Sequence, residues 1–403
     1  MQRWMAARAR GFGTSIFSEM TALALQHGAI NLSQGFPDFA GPAHVKQAAV
    51  AAIQADHNQY APAPGLPALR EAIAATYRAS YGVPCSAEHV TVTSGATEAI
   101  ASTMLALIDP GDEVLIFEPA YDSYAPTTVM AGGVPRFVRL EPPAALGGRA
   151  AGDATRWWFD PAALQAACTP RTRAIIVNTP HNPTGKVFSR AELELIAELC
   201  HRHDLIAITD EVYDRLVYDG MHTPLATLPG MWERTVTINS TGKTFSLTGW
   251  KIGYTIAPPP LTDAIRRIHQ FVTFAVATPF QHAMAAALTA ALHDDFYARL
   301  LDFYRERRDR LTAILNQAGL SALPPEGTYF VMADIRGWGF TSDVAFCRYL
   351  TTQVGVAAIP PSAFYAQPET APALARFCFA KELATLEAAA ARLRQYTAPV
   401  AAS

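Results

Sequence analysis

A short apolar run followed by two acidic residues lies near the middle of the chain: Leu205-Ile-Ala-Ile-Thr-Asp-Glu-Val-Tyr213. The stretch before it opens with a capping box, Ser189 with Glu192, and repeats apolar residues on one helical face. A buried strand is therefore predicted directly after this helix, at Leu205–Thr209. It brings the carboxylate of Asp210 to the carboxyl end of a sheet, where α/β proteins bind their ligands.

The same alternation of β-branched runs and amphipathic stretches extends in both directions, from about residue 90 to residue 257. It is typical of an α/β sheet with helices on its faces. We expect one central sheet. Its strands are predicted at His89–Thr93, Glu113–Phe117, Val134–Leu140, Ala174–Asn178, Leu205–Thr209, Thr235–Asn239 and Ile252–Ala257.

The chain of 403 residues is too long for one compact core, which favours a large domain with a smaller one. From about residue 281 the pattern changes to long helices with a strand-rich patch around Tyr329–Ile335. We predict an N-terminal arm with part of the small domain at 1–44, a large cofactor-binding domain at 45–280 and a small C-terminal domain at 281–403. The segment 141–156 is rich in proline and glycine and is interpreted as a solvent loop with no assigned function.

The net charge and the cysteines of the chain indicate which binding partners and which cellular compartment to expect. The net charge is −3 with both signs interspersed, which favours a small-molecule partner over nucleic acid. The five cysteines have no paired spacing, which argues against disulfides and a cysteine zinc site and fits the cytoplasm. Apolar runs stay below the roughly 18 to 20 residues that span a bilayer. We expect no metal and no membrane association.

Lysine is scarce in this chain. The five lysines are Lys46, Lys186, Lys243, Lys251 and Lys381. An imine with a carbonyl cofactor needs an amine that can lose its proton, which arginine cannot do. Two lysines lie in the most distinctive segment, Asn239-Ser-Thr-Gly-Lys-Thr-Phe-Ser-Leu-Thr-Gly-Trp-Lys-Ile-Gly-Tyr254, which joins two predicted strands. A surface loop with solvated lysines is the alternative interpretation of this segment taken alone.

Two further segments suit a cofactor with a ring nitrogen and a phosphate. Asp210 needs a cationic partner; a protonated pyridine nitrogen is one, and its protonation makes the ring an electron sink. A helix N-cap is the alternative role of this residue. The stretch Thr93-Ser-Gly-Ala-Thr-Glu-Ala-Ile100 predicts a strand, a glycine turn and a helix whose first amides hold a phosphate monoester. It lacks the glycine spacing of dinucleotide or nucleoside triphosphate sites.

Six segments together resemble class I aminotransferases of the fold-type I family, which use pyridoxal 5'-phosphate (PLP). They occur in family order: Ser33-Gln-Gly-Phe-Pro-Asp-Phe39, Thr93-Ser-Gly-Ala-Thr97, Asn178-Thr-Pro-His-Asn-Pro-Thr-Gly185, Asp210-Glu-Val-Tyr213, Ser240-Thr-Gly-Lys243 and Arg376-Phe-Cys-Phe-Ala380. The resemblance spans nearly the whole chain. It implies an α/β fold-type I PLP transferase, with a large domain built on a mostly parallel central sheet and a smaller α+β domain.

The resemblance also implies roles for residues at the cofactor. Lys243 holds PLP as a Schiff base and carries the proton between the substrate Cα and the cofactor. Asp210 pairs with the pyridine nitrogen, and Asn182 and Tyr213 donate hydrogen bonds to the phenolic oxygen. Tyr121 stacks on the ring.

The implied phosphate site has contributions from two subunits, so the resemblance implies a homodimer. The residues from the same subunit are Gly95, Ala96, Thr97, Ser240 and Lys251, and Tyr60 reaches over from the neighbouring subunit. Many class I members carry an arginine where this chain has Lys251, so a bidentate fork is replaced by a point charge. The kynurenine and glutamine transaminase branch shares this lysine. We interpret it as a mark of the kynurenine, glutamine and methionine transaminase branch.

For the substrate, the resemblance implies that Arg376 binds the carboxylate through a two-pronged contact, helped by the backbone of Gly35 and by Asn182. Phe17, with Phe36 and the pair Tyr329-Phe330, brings aromatic rings near the expected pocket. An aromatic pocket without an assigned second arginine favours apolar or neutral donors such as methionine, glutamine, phenylalanine or kynurenine. Core packing is the alternative role of these rings.

The resulting prediction is an aminotransferase that passes the amino group of such a donor to a 2-oxo acid in two half reactions. A PLP-dependent lyase that eliminates at Cβ on the same fold is the enzymatic alternative, because the PLP motifs are common to both. A non-catalytic, ligand-sensing aminotransferase-like domain is the alternative from another class. The short N-terminal arm leaves no room for the DNA-binding module that such a regulator would need.

Overall fold

The structure is a computed structural model, and residues 4–13, 15–148 and 155–395 are described. The strands are β1 (Ile30–Asn31), β2 (Val90–Ser94), β3 (Glu113–Glu118), β4 (Val134–Arg139), β5 (Thr172–Asn178), β6 (Ile206–Asp210), β7 (Thr235–Ser240), β8 (Ile252–Ile256), β9 (Ser321–Ala322), β10 (Phe330–Asp334), β11 (Val356–Ala357) and β12 (Leu374–Cys378).

Most helices in the first two thirds of the chain lie between strands, and the longest described helix, α11, comes after them. They are α1 (Ile16–Gln26), α2 (Ala43–Gln54), α3 (Pro67–Tyr81), α4 (Gly95–Leu107), α5 (Tyr124–Met130), α6 (Pro161–Ala167), α7 (Arg190–His203), α8 (Thr241–Thr244), α9 (Pro259–Val272), α10 (Thr278–Ala291), α11 (Phe296–Gln317), α12 (Asp343–Tyr349) and α13 (Leu383–Gln395).

The central sheet has seven strands within the described residues, in the order β2-β8-β7-β6-β5-β3-β4. Strand β8 runs antiparallel to both of its neighbours, and the pairings among β7, β6, β5, β3 and β4 are parallel. All seven predicted strands are present, with ends within two residues of the prediction. The predicted mostly parallel α/β sheet is therefore confirmed.

Helices cover both faces of the sheet. Alternate residues of its strands therefore pack in two different cores, one on each face. Val114 and Ile116 of β3 pack in a cluster with α4, whereas Leu115 and Phe117 of the same strand pack in a cluster with α7. The predicted capping box begins α7: Ser189 Oγ accepts from the Glu192 amide at 3.3 Å, and Glu192 Oε2 accepts from the Ser189 amide at 2.8 Å. This helix is followed directly by β6, which ends at Asp210.

A smaller layer is built from the C-terminal third of the chain. Strands β12, β10 and β9 form an antiparallel sheet that packs with α11 and α13 in a second core, which also receives Met20 of α1. Strand β1 pairs in parallel with β11. These contacts favour the predicted grouping of the N-terminal residues with the small domain.

Helix α10 packs with α2 and α3 in a core of the large sheet, through Met284 and Leu288 among others. The domain division remains a proposal, and this packing favours a boundary after Ala291 over one at residue 281. In the segment 141–156, Leu146 is buried and Glu141 pairs with Trp158 in an isolated bridge, so its first part packs on the protein. Residues 149–154 of this predicted loop lie outside the described residues.

Candidate active site

A cavity lies at the carboxyl ends of the central strands. It is lined by Gly95, Ala96, Thr97, Tyr121, Tyr124, Asn178, Asn182, Asp210, Val212, Tyr213, Ser240, Gly242, Lys243, Thr248 and Lys251. Every residue predicted to bind the cofactor is in this set except Tyr60. Segments far apart in the chain are thus brought to one point because parallel strands end at the same edge of a sheet.

Asp210 is the acidic group of the cavity and ends β6. Its Oδ2 accepts a hydrogen bond from the Tyr124 hydroxyl at 2.7 Å, and its Oδ1 accepts from the Val212 amide at 3.3 Å. Burial raises the pKa of the Asp210 carboxyl to about 6, although the Tyr124 hydrogen bond lowers it. A buried carboxylate of this kind is stabilised by a cationic ligand, as a protonated ring nitrogen would be. Sequence reasoning missed Tyr124, for which the motifs gave no signal.

Asp210→Asn is expected to stabilise the cofactor-free protein at neutral pH, by up to about 3 kcal/mol from a pKa shift of this size. The folded state raises the pKa of Asp210, so the folded state holds this proton more tightly than the unfolded state. The free energy of unfolding therefore falls as the pH rises toward about 6 and remains lower above it. Asparagine cannot ionise, so the free energy of unfolding of the variant does not fall for this reason as the pH rises.

Thermal unfolding of the cofactor-free proteins between pH 4 and pH 8 measures this effect. The melting temperature of the variant should exceed that of the wild type at pH 8, and the difference should close toward pH 4. The exposed Asp204 supplies the control variant Asp204→Asn. A difference that does not change with pH would contradict the assigned ionisation of Asp210.

Lys243 lies in the short helix α8 and faces the same cavity. Its Nζ donates hydrogen bonds to the Tyr329 hydroxyl at 2.9 Å and to the Gly35 carbonyl at 3.2 Å. Burial lowers the pKa of the Lys243 amine to about 8, which increases the fraction of neutral, nucleophilic amine near neutral pH. The surface-loop interpretation of the segment 239–254 is therefore wrong for Lys243.

The start of α4 forms a cradle of the type that binds phosphate. Gly95 has a φ of +73°, and a Cβ there would lie 2.9 Å from Lys251 Nζ. A Cβ on Gly253 would lie 2.4 Å from the Gly95 carbonyl carbon, so two backbones meet here without side chains. The Ser240 hydroxyl lines the same cavity. Helix amides, an ammonium group and a hydroxyl together suit an oxyanion.

Arg376 lies on β12 and is 1% exposed. Its Nη1 donates to Asn182 Oδ1 at 2.8 Å and its Nη2 to the Ser33 carbonyl at 3.0 Å, and the guanidinium packs 4.0 Å from the centre of the Phe330 ring. Burial lowers its pKa to about 10, which leaves it charged at neutral pH. Its Nε has no hydrogen-bond partner, and no carboxylate forms an ion pair with it among the described residues. A buried cation that forms no direct ion pair is suited to a carboxylate ligand.

A second cavity adjoins the first and shares Tyr121, Asn182, Tyr213 and Lys243 with it. Its other lining residues are Phe17, Gln34, Gly35, Phe36, Asp122, Phe330 and Arg376. The three residues predicted only for the substrate, Gly35, Arg376 and Phe17, all line this cavity. A Cβ on Gly35 would lie 2.6 Å from Phe330 Cζ, so a larger residue would disturb this wall.

Gln34 and Asp122 were missed by sequence reasoning. Gln34 lies inside the quoted segment 33–39, but no role was assigned to it. Asp122 directly follows the predicted ring-stacking Tyr121 and places a carboxylate in this second cavity. Burial raises the pKa of the Asp122 carboxyl, against the lowering effect of the Arg376 charge.

Tyr60 is the one predicted cofactor residue that the single chain leaves outside both cavities. It is 84% exposed, and its ring packs edge-on against Phe274 with the centroids 5.2 Å apart. Its contribution from a neighbouring subunit remains a proposal.

The donor set of the first cavity fits PLP. Asp210 suits a protonated ring nitrogen, the Lys243 amine suits an aldehyde, and the cradle at Gly95 with Lys251 suits a phosphate. Among the described residues no group of three or more histidine, cysteine or acidic side chains is arranged to hold a metal ion. The same residues include no helix long and apolar enough to cross a bilayer.

Comparison with known proteins agrees with this chemistry. The model of the family "Aminotransferase class I and II" matches residues 27–393. The chain belongs to this family. It is therefore a PLP-dependent aminotransferase, which acts on amino acids and 2-oxo acids.

Similar proteins span nearly the whole aminotransferase. A crystal structure from Escherichia coli, for which a methionine aminotransferase function is identified, has a TM-score of 0.91 and 43% identity, covering 97% of this chain and 99% of that chain. A probable N-succinyldiaminopimelate aminotransferase of Mycobacterium tuberculosis is 46% identical over 398 residues, covering 96% of this chain and 97% of the relative. A kynurenine–oxoglutarate transaminase of Dictyostelium discoideum is 40% identical over 407 residues, covering 94% of this chain and 93% of the relative. The fold-type I assignment and the resemblance to the methionine and kynurenine branch are confirmed.

Proposed function

We propose that this aminotransferase takes apolar, aromatic or neutral L-amino acids as donors, of the methionine, glutamine, phenylalanine or kynurenine type. The lining of the substrate cavity carries this proposal. The cations that line it are Arg376 and Lys243, and no further cation lines it in the described part of the chain. The rest of its wall includes the aromatic rings of Phe17, Phe36 and Phe330, the neutral Gln34 and the acidic Asp122. A buried distal carboxylate would lack a counter-charge there.

The named functions of the relatives support this donor class and supply one rival. Methionine and kynurenine aminotransferases are among the similar proteins, and both names describe donors without a side-chain carboxylate. The rival is the N-succinyldiaminopimelate aminotransferase of Mycobacterium tuberculosis, whose named substrate carries additional carboxylates. The cavity lining favours the first group.

The positions of the cofactor residues support the following roles. When bound, PLP would supply an electron sink for the charge that develops at the substrate Cα. Asp210 would keep a proton on the ring nitrogen, and Tyr124 orients the Asp210 carboxylate through their 2.7 Å hydrogen bond. Lys243 would hold the cofactor covalently and would take the proton from the substrate Cα. Asn182 and Tyr213 would hydrogen-bond to the phenolic oxygen, and Tyr121 would pack on the ring.

The substrate is oriented by the polar network around Arg376. The two outer guanidinium nitrogens are held by Asn182 and the Ser33 carbonyl, which fixes the plane of the guanidinium. The backbone of Gly35 lies in the same wall of the cavity. A carboxylate bound here would hold the substrate Cα on the side of the cavity that Lys243 also lines.

We also propose that the enzyme is a homodimer in which Tyr60 contacts the cofactor phosphate of the second subunit. Exposed aromatic side chains support an interface at this surface: Tyr60 is 84% exposed, Phe271 is 86% exposed and Phe274 is 49% exposed. We further place the enzyme in the cytoplasm, which the five free cysteines support. Sedimentation with Tyr60→Phe and wild-type protein would test the dimer separately from the phosphate contact.

Asp122→Asn is expected to raise kcat/KM for L-glutamate and L-aspartate relative to L-methionine by about tenfold, because a like charge near a bound carboxylate costs on the order of 1.4 kcal/mol or more. Asp122 lines the substrate cavity and forms no ion pair within the described residues. The exposed Asp263 on α9 supplies the control, Asp263→Asn. Equal losses for methionine and glutamate would contradict a role in selecting the side chain.

The donor class is tested by measuring kcat/KM for a panel of L-amino acids with one common 2-oxo acid. Methionine, glutamine, phenylalanine and kynurenine should be used more efficiently than aspartate, glutamate and N-succinyldiaminopimelate. Preference for N-succinyldiaminopimelate by tenfold or more would replace the proposed donor class with that of the rival. Omission of each donor and of the oxo acid in turn provides the blanks.

A further inference from the structure

A buried histidine and glutamate meet behind the predicted phosphate site, outside both cavities. Glu98 is the fourth residue of α4, and His269 lies near the end of α9. His269 Nδ1 and Glu98 Oε1 are 2.6 Å apart, and the exposed fractions of the two side chains are 0% and 8%. No part of the chemistry proposed above uses this pair.

The hydrogen-bond partners of the pair determine which of its atoms carry protons. His269 Nε2 lies 2.8 Å from the Ala63 carbonyl, which can only accept, so this nitrogen carries a hydrogen. One further proton is then shared between Nδ1 and Oε1, and the pair is neutral as a unit. Burial lowers the pKa of His269, but the hydrogen bond and charge of Glu98 outweigh burial and raise it overall; Arg266 on the same helix acts in the lowering direction. A protonated His269 beside this carboxyl group is consistent with the balance.

Glu98 connects the pair to the phosphate cradle. Its Oε2 accepts a hydrogen bond from the amide of Ser94, the residue that precedes the first turn of α4. A carboxylate at this position lies within one helical turn of the amides of Gly95, Ala96 and Thr97. Its negative charge would oppose a phosphate there unless the protonated His269 offset it.

His269 connects the pair to the segment that carries Tyr60. The Ala63 carbonyl belongs to this segment, whose ends are tied to α10: Thr278 Oγ1 donates to the Gln59 carbonyl at 2.6 Å, and Gln281 Oε1 accepts from the Leu66 amide at 2.8 Å. The segment is therefore fixed between α9 and α10. One buried pair thus joins the start of α4 to the segment proposed to serve the second subunit.

We propose that Glu98 and His269 are positioning residues for the cofactor phosphate: they hold the Ser94 amide and the segment 59–66 in register, and His269 neutralises Glu98 beneath the phosphate. This inference rests on the proposed placement of the phosphate at the start of α4. It assigns neither residue a contact with the cofactor. It predicts that loss of His269 alone weakens binding of the phosphate group in particular, because the charge of Glu98 is then left without its partner.

The experiment compares PLP with pyridoxal, which lacks the phosphate, as ligands of the cofactor-free protein. The ratio of their dissociation constants, measured from the visible absorbance, isolates the phosphate contribution and cancels damage to the rest of the site. His269→Gln is expected to lower the preference for PLP by about tenfold, because an unscreened charge at a helix start acts on this scale. In the double variant E98Q/H269Q both charges are absent, and most of the preference should return.

A matched control is available in the same chain. His222 Nε2 and Glu211 Oε2 form a second buried pair at 2.9 Å, and neither residue lines the two cavities. His222→Gln should leave the preference for PLP within about twofold of the wild-type value. The ³¹P resonance of bound PLP should shift in His269→Gln and not in His222→Gln.

The outcomes separate the two proposals. If wild-type protein binds PLP and pyridoxal equally well, the placement of the phosphate is wrong. If wild-type protein prefers PLP but His269→Gln keeps that preference, or the double variant loses it further, the role of the pair is wrong. Should His269→Gln fail to fold, Glu98→Gln decides: a preference within about threefold of wild type supports the proposal, and a tenfold loss overturns it.

Discussion

Lys243→Ala is expected to lower the rate of the donor half reaction by about 10⁴-fold or more, the largest effect in the molecule, because the proposed mechanism assigns one amine both the covalent attachment and the proton transfer. The Lys243 amine faces both cavities, and burial lowers its pKa to about 8. Stopped-flow absorbance with excess L-methionine measures the rate. Mass spectrometry of a borohydride-reduced digest locates the attached cofactor.

The exposed Lys46 provides the control for this prediction. Lys46→Ala should react within about twofold of the wild-type rate, and the reduced adduct should map to Lys243 in both proteins. Unchanged turnover in Lys243→Ala, or an adduct on another lysine, would show that the covalent attachment has been assigned to the wrong residue.

Arg376→Ala is expected to lower kcat/KM by about 10²- to 10³-fold for every amino acid that the enzyme accepts, through the loss of the buried charge that we propose binds the substrate carboxylate. The effect should be common to all donors because the α-carboxylate is common to all of them. Arg376→Lys keeps a charge but loses the two-pronged geometry, and its kcat/KM should lie between the alanine variant and the wild type. Steady-state kinetics with methionine, glutamine and phenylalanine measure these effects.

Arg190 lies exposed on α7, paired with Glu194, and supplies the matched arginine control. Arg190→Ala should leave kcat/KM unchanged within about twofold. A loss in Arg376→Ala that affects one donor and spares the others would instead make Arg376 a reader of the substrate side chain.

The central sheet could be predicted from the sequence because six of its seven strands, all except β4, are buried over most of their length. Such strands are continuous apolar runs, as in Leu205-Ile-Ala-Ile-Thr209, and helices with local signals such as Ser189 and Glu192 separate them. The domain boundary stays a proposal, because α10 has the pattern of any buried helix. Its contacts with α2 and α3 favour placing it with the large sheet.

The part of the site carried by contiguous motifs could also be predicted. Asp210, Lys243 and Arg376 each lie in a segment whose residue types suit the chemistry, and the structure brings all three to adjoining cavities. The partners of these residues could not be predicted, because they are set by tertiary contacts. Tyr124 reaches Asp210 across 86 positions of the chain.

The contact of His269 with Glu98 spans a still larger separation, 171 positions. Neither residue has a neighbour whose type suggests the pairing. Tyr60 illustrates a different difficulty, because a residue proposed to act in a second subunit remains outside the cavities of its own chain. Pairings such as that of His269 with Glu98 become evident only from three-dimensional contacts.

The most direct test of the proposed function is the absorbance spectrum of the purified, PLP-loaded enzyme during titration with L-methionine in the absence of any 2-oxo acid. We expect the visible band to bleach in proportion to the donor added, to return when a 2-oxo acid is supplied, and to respond far less to L-aspartate. A band that persists while a Cβ-substituted donor yields pyruvate and ammonia would contradict transamination and indicate a lyase.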